Sequence, residues 1–483
     1  MTEPHANPGD RPSGSAWHLR LIGAGGLALF LWGYLPSRRI PFRVEQWDCY
    51  DFYQSYVFRV TSLYDWGLMA FWTPFRDFRP IPLAYLWNFL VFALLGAENH
   101  WHLALSLSLT VLNALLLARW VSAIGSHRGL DHGLIAASLF LLMPAHHEIV
   151  MWTFFTYKLA HTALVLASLI MVEEYLVTGR PRAAHSAVGY LAASWLFYEA
   201  SLPIALVLPL RMVLAGRSLM SPATRRILAS LAGALTAYGA LYLVMATWIP
   251  AAYDLVQQIP RQRVDLGTFV LSLWRWAFDG VLLGNSGLPL TSVIFPYHVG
   301  FRAVIEVAPT AIVALVWCAL LAQVRWRPFP VRALSYLAAV GAAGSVLVWV
   351  GRTMTNGPDY LATFSVYQHF PSLVLAAALG YLIDRSWPPP RKRMVIALLL
   401  VYTLLAVGSR QAVDEYMHVQ EPLIRALKAV DDALRLHPEA RIYVGSIRLP
   451  FAPTWSIPSA EHSYHAFHLL HGERIVREPP PSR

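Results

Sequence analysis

The chain has 483 residues, of which 56% are hydrophobic and only 14% are charged, and its mean hydropathy is +0.46. The apolar residues gather in runs of about twenty, the length that fits a bilayer core, which excludes the two or three soluble domains that this length would otherwise suggest. The net charge of +10 does not argue for nucleic acid, because most Arg and Lys stand beside apolar runs, where they set topology. Cys49 and Cys318 are far apart, the second inside an apolar run, and offer neither a disulfide framework nor a metal-type spacing.

Residues 1–17, rich in Gly, Pro and Ser, read as a disordered cytoplasmic tail. The run LIGAGGLALFLWGYL is followed by Pro36-Ser37-Arg38-Arg39 instead of a small-x-small cleavage site, so it is expected to stay as a first helix with a cytoplasmic N-terminus. A polar loop from Arg38 to Pro82 comes next. It carries Asp48, Asp51, Asp65 and Asp77, many aromatic residues, and Arg76 and Arg79 just before the next apolar run. A plain connector needs few residues and no Trp or Tyr. The loop is therefore expected to form the floor of an active site outside the membrane, with Asp48 as the leading candidate for a catalytic base.

The segments PLAYLWNFLVFALLG and WHLALSLSLTVLNALLLARWV are separated only by AENH. If the first lies along the interface, the outer region extends over 38–100 and Arg119 and Arg128 fall inside, as the positive-inside tendency prefers. Gly133 to Met143 then crosses outward, PAHHEIVMWTFFTYK turns, and Leu159 to Val177 returns to Arg180 and Arg182. Ala187 to Phe197 goes out, Leu202 to Leu214 returns toward Arg211 and Arg217, and Ile227 to Ile249 goes out. A second outer loop, 250–303, contains LGTFVLSLWRWAFDGVLLG, whose Arg275 and Asp279 favour an interfacial helix over a span. Val304 to Val324, Ala333 to Val350, Phe370 to Ile383 and Met394 to Gly408 complete about eleven spans, with basic residues on one side at nearly every crossing. Tyr416, Leu423, Leu427, Val430 and Leu434 then recur at helical spacing until His437-Pro438, and ARIYVGSI has strand composition. The expected fold is an all-α polytopic membrane protein (18–409) with interfacial helices in long outer loops and a small extracytoplasmic α/β cap (410–483).

Three cations, Arg79, Lys158 and Arg352, stand near apolar runs on the expected outer side, against the positive-inside trend, and are candidates for holding a phosphate. His146 and His147 are adjacent and cannot share one helix face as i, i+4 metal ligands would. With Glu148 they are expected to serve as hydrogen-bonding residues of a substrate pocket, without a metal. Glu199 and Gln368, the latter beside His369, are further pocket candidates, and Trp47, Tyr50 and Trp152 are candidates for stacking on a sugar ring.

Several stretches together resemble a known family. FRPIPLAYLWNFLVFALLG followed by WHLALSLSLTVLNALLLARW, then LFLLMPAHHEIVMWTFFTYKLAH, then SWLFYEASLPIALVLPL, follow the order and spacing of motifs in the GT-C class of membrane glycosyltransferases. The similarity is greatest to bacterial relatives of the protein O-mannosyltransferases and to the transmembrane O-mannosyltransferases with tetratricopeptide repeats. It covers about Val44 to Leu214, with YQHFPSLVLAAALGYL as a weaker echo. It implies transfer of a hexose or pentose from a polyprenyl-phosphate-linked donor to a glycan, lipid or protein acceptor at the outer face of a bacterial inner membrane. By the same resemblance a first-loop carboxylate, Asp48 or else Asp51, activates the acceptor. Here the two carboxylates stand three residues apart, where the family often has adjacent ones, and no tetratricopeptide array follows. The competing expectations are an O-antigen ligase or polymerase, which would lean on outer-loop arginines and histidine, and a lipid-linked saccharide transporter or flippase, which would place charges near mid-membrane. No nucleic-acid partner is expected.

Overall fold

In a bilayer every backbone N–H and C=O needs a partner within the protein, so long uncharged runs of Leu, Ala, Val and Phe are driven to helix. The computed structural model describes residues 16–39, 81–95, 99–124, 131–151, 155–248, 265–285, 331–356, 361, 367–386, 392–443 and 474–476. These are almost entirely helical. α1 spans Ala16–Tyr34, α2 Pro82–Leu95, α3 Asn99–Ile124 and α4 Asp131–Leu142. A 3-10 turn at Pro144–His146 leads into the short α5, His147–Met151, and then α6 at Thr156–Thr178. α7 spans Pro181–Phe197, α8 Ile204–Leu214 and α9 Pro222–Trp248. α10, Leu266–Arg275, passes directly into a π-helix at Trp276–Leu283. α11 covers Val331–Asn356, α12 His369–Ser386 and α13 Lys392–Leu436.

Five of these helices contain stretches long and apolar enough to cross a membrane: His100–Ile124, Thr156–Thr178, Thr224–Val244, Val331–Met354 and Val395–Asp414. Pro82–Leu95, Gly133–Leu142 and His369–Ile383 are apolar but shorter. The chain is thus a helical membrane protein. Residues 40–80 of the expected first outer loop and the expected span from Val304 to Val324 lie outside the described residues.

Local chemistry explains the boundaries. α6 ends at Gly179, whose φ of 68° is left-handed and whose N–H returns to the carbonyl of Tyr175 at 2.8 Å, a stop that glycine alone takes without strain. Pro181 then opens α7 at the position where a missing N–H costs nothing. Asp265 caps α10 through the backbone N–H of Thr268 at 2.7 Å. Two features differ from the sequence expectation. The last span and the predicted tail helix form one 45-residue helix that runs through Arg410 without a break; Arg410 pairs with Asp414 one turn on, at 2.8 Å, so the backbone has no reason to leave the helix there. It stops before His437 and Pro438. Beyond it, Ile442–Tyr443 and Ile475–Val476 form a two-residue parallel pair, and the rest of the expected cap lies outside the described residues. The predicted interfacial helix is two segments, an α-helix and a π-helix, and π-helical segments are frequent at functional sites.

α4 sits in the middle, packed by α1, α3 and α12, while α6 joins α3 to α7, and α11 joins α8 to α12. Trp120, Phe140, Tyr336 and Tyr402 are fully buried in this core. Near the end of α6, Glu173 receives a bidentate pair from Arg211 of α8, with Nε at 2.6 Å from Oε1, and the guanidinium also lies 5.0 Å over the ring of Tyr336. The sequence assigns Arg211 to topology alone. With Glu173 only 3% exposed, however, this is a buried ion pair, and removing one partner of such a pair costs about 3–5 kcal/mol.

α11 and α12 approach closely where Gly344 faces Phe370: a Cβ at Gly344 would run into the ring of Phe370, whereas one at Gly351 would meet nothing. Gly344→Ala is expected to destabilise the protein by about 1–3 kcal/mol through overpacking. Gly351→Ala on the same helix is expected to be neutral or to stabilise by up to about 1 kcal/mol. Thermal unfolding of the purified variants checks this, and equal melting temperatures for the two would contradict it.

Candidate functional site

A cavity with about 470 Å³ of empty space, open solvent at its mouth included, opens at the end of the bundle that the sequence assigns to the outer face. It lies where the start of α6, the turn before α8, the middle of α11 and the start of α12 meet. Lys158 enters it from the first turn of α6. The position of that turn is set by two long-range hydrogen bonds: the indole N–H of Trp87 on α2 donates to the hydroxyl of Thr156 at 3.1 Å, and the amide of Asn113 on α3 donates to the carbonyl of Leu159 at 3.0 Å.

Lys158 is only 7% exposed. Its Nζ lies 4.4 Å from the ring centroid of Phe155, 5.1 Å from that of Tyr198 and 5.0 Å from that of Tyr367. Burying an ammonium costs several kcal/mol, and each desolvated aromatic face returns about 0.5–2 kcal/mol. The guanidinium of Arg352, near the end of α11, lies 5.4 Å from the same Tyr367 centroid. Two cations from helices far apart in sequence therefore face one ring. Such a concentration of positive charge suits an anion, and an Arg and a Lys together suit a phosphate.

Tyr198 is held by a tight turn. Its N–H donates to the carbonyl of Ser194 at 2.8 Å, and the hydroxyls of Ser194 and Ser201 meet at 2.8 Å. Tyr367 precedes α12, whose first turn is fixed when Gln368 donates to the carbonyl of Leu361 at 2.6 Å and His369 packs edge-on against Phe140 at 5.3 Å. The π-helix closes another side, with Trp276 in the cavity wall. Its end is pinned by Asn285, whose amide donates to Ser372 at 2.7 Å and to the carbonyl of Val281 at 2.8 Å, and whose oxygen accepts the N–H of Ala145 at 3.1 Å. The hydroxyls of Ser272 and Thr353 meet at 2.7 Å, which joins α10 to α11 beside Arg352.

Of the residues singled out in the sequence, Lys158 lines the cavity, and Arg352, which does not, shares the ring of Tyr367 with it. Glu199 and Gln368 do not line the cavity, but each stands between two residues, Tyr198 and Ala200 or Tyr367 and His369, that do. His147 is fully buried in the wall behind. Its Nδ1–H donates to the carbonyl of Pro144 at 3.1 Å, which ties the turn to itself. His146 stands in that 3-10 turn and Glu148 in α5. Asp48, Asp51 and Arg79 lie outside the described residues, as do Trp47, Tyr50 and Trp152. Among the described residues no three His, Cys, Asp or Glu side chains are grouped as metal ligands. The sequence missed His161, Tyr198 and Tyr367. His161 lies one turn beyond Lys158 on the same helix face, a spacing that was available as a signal.

No known protein family and no curated protein matches the chain. Among solved structures it is similar to the archaeal oligosaccharyltransferase AglB from Archaeoglobus fulgidus, in complex with an inhibitory peptide and a dolichol-phosphate, at 14% identity and a TM-score of 0.43. The match covers 96% of this chain and 64% of that one, so the chain spans less than two thirds of its neighbour's length.

Burial pushes the His147 imidazole down from its ordinary 6.5 to about 4, against a smaller upward effect of its bond to Pro144. The folded-state value lies below the unfolded one, so the unfolded chain binds the extra proton and stability rises with pH. The contribution of neutral His147 is therefore fully present above about pH 6.5 and falls by about 3 kcal/mol in total as pH drops toward 4. His147→Asn keeps a donor for the Pro144 carbonyl but cannot titrate. Its stability relative to the wild type is expected to improve between pH 7 and pH 4, as read by thermal unfolding. A constant difference across that range would contradict the assignment.

Proposed function

We propose that the protein is a GT-C-type membrane glycosyltransferase that moves a sugar from a polyprenyl-phosphate-linked donor to an acceptor at the outer face of the membrane. The observation that carries this reading is that Lys158 lines the cavity and shares the ring of Tyr367, also in its wall, with a second cation, Arg352; the resemblance of the motifs from Val44 to Leu214 adds the reaction class. In the proposed reaction the acceptor hydroxyl oxygen attacks the anomeric carbon. The bond from that carbon to the phosphate oxygen breaks, its electron pair stays on the polyprenyl phosphate, and the acceptor proton passes to a carboxylate. Lys158 and Arg352 stabilise the phosphate as it gains charge, the stage at which fixed cations contribute most.

Asp48 is the proposed base, with Asp51 as the alternative, and Arg79 is a proposed third cation. Glu199, Gln368, His146, His147 and Glu148 are proposed to support the pocket from its wall. The proposed topology has about eleven spans, the N-terminus in the cytoplasm, the Lys158 end of the bundle at the outer face, and a small C-terminal cap on that same side.

The test is mass spectrometry of lipids co-purified with the full-length protein, alongside envelope glycan profiles. Asp48→Asn is expected to retain a glycosylated polyprenyl phosphate while its glycan product falls by about 100-fold or more, the scale of lost general-base catalysis. Lys158→Met is expected to lose the lipid itself. Wild-type lipid retention by Lys158→Met would overturn the phosphate site, and wild-type product from Asp48→Asn would remove Asp48 as the base.

A further inference from the structure

Most polar side chains around the cavity spend their hydrogen bonds on the fold. The hydroxyl of Thr162 donates to the carbonyl of Lys158 at 2.9 Å, and that of Ser201 meets Ser194 at 2.8 Å and donates to the carbonyl of Tyr198 at 3.4 Å. His161 differs. Its side chain lines the cavity and the residue is only 6% exposed, yet its Nε2 makes no hydrogen bond to any described residue. A buried polar atom without a partner is destabilising, and one that lines a cavity is placed where a ligand can supply the partner.

The surroundings of His161 say what that ligand is. It stands three residues beyond Lys158 on one face of α6. Tyr198, 5.1 Å from the Lys158 ammonium, also meets the imidazole edge to face at 5.5 Å and 83°. One tyrosine therefore orients both the charge and the imidazole, with the second cation, Arg352, across Tyr367.

We propose that His161 is a ligand-binding residue whose Nε2 hydrogen-bonds a phosphate oxygen of the group held by Lys158 and Arg352. The cavity thus recognises its anion through two charges and one directional hydrogen bond. The charges alone attract any anion, whereas the imidazole selects an oxygen at a fixed position. This inference rests on the reading of the cavity as a phosphate site.

Two substitutions separate ligand binding from packing. His161→Gln can hold an amide nitrogen where Nε2 stands but loses the ring; His161→Phe keeps a ring against Tyr198 but loses the hydrogen bond. Calorimetric titration of the purified full-length protein with decyl phosphate, against protein-free micelles, is expected to show about tenfold weaker binding for His161→Phe and less than about threefold loss for His161→Gln. The opposite order, or undiminished binding by His161→Phe, would overturn the proposal, since only ring packing would then matter. Inorganic phosphate titrated in parallel identifies the source of the anion. The same order for both probes supports recognition of the phosphate group alone, and the same order for decyl phosphate alone supports recognition of a lipid headgroup. Lys158→Met serves as the separate control: undiminished decyl phosphate binding there would overturn the phosphate site itself, independently of how the His161 variants rank.

Discussion

A buried ammonium is the constraint around which this architecture is arranged. Lys158 is almost wholly removed from solvent, and no single helix can surround a charge with enough aromatic surface to offset its desolvation. The rings come from three places: Phe155 just before α6, Tyr198 from the turn before α8, and Tyr367 from the turn before α12. Each turn is in turn fixed by hydrogen bonds to other elements, through Trp87, Asn113, Ser201, Gln368 and Asn285. Accurate placement of one charge thus requires most of the bundle to be in register. That is the arrangement expected of a site that must hold an anion without rearranging when charge develops on it.

The two ends of α6 work differently. At one end Lys158 lines a cavity, with the rings of Phe155, Tyr198 and Tyr367 around its ammonium. About 22 Å further along the helix, Glu173 is closed off by the paired guanidinium of Arg211 under Tyr336. A carboxylate and a cation that satisfy each other hold α6 to α8 and have little left for a ligand. The proposed function places the chemistry at the Lys158 end, with the Glu173–Arg211 pair as a clasp between α6 and α8. The π-helix at Trp276 and the close contact of Gly344 with Phe370 shape the remaining walls.

Much of this was legible in the sequence, for identifiable reasons. Helix positions follow from apolar runs and from punctuation at Gly179, Pro181 and Pro438, and the described helices fall on the predicted segments to within several residues. Lys158 and Arg352 stood out because cations on the outer side oppose the positive-inside trend, and that signal is local. Their meeting at Tyr367 was not legible, because a contact across about two hundred residues leaves no mark in spacing when one ring serves both. Tyr198 and Tyr367 carried no signal of their own, since a tyrosine that orients a charge and one that anchors to headgroups have the same composition signal. The continuity of the helix through Arg410 was hidden for the opposite reason: the change from apolar to polar residues there marks a change of environment, while the backbone stays helical. The Arg211–Glu173 pair was hidden because an arginine at a span end reads as topology until its partner is seen.

The most direct test of the central claim is a photo-crosslink. A polyprenyl phosphate carrying a diazirine next to the phosphate would be irradiated with the purified full-length protein, and the modified peptides would be mapped by mass spectrometry. The account predicts adducts within residues 155–162, 344–353 and 367–371, the three segments that converge on Lys158, Arg352 and Tyr367. Adducts confined to the Glu173–Arg211 end, or spread evenly over the lipid-facing helices, would contradict it.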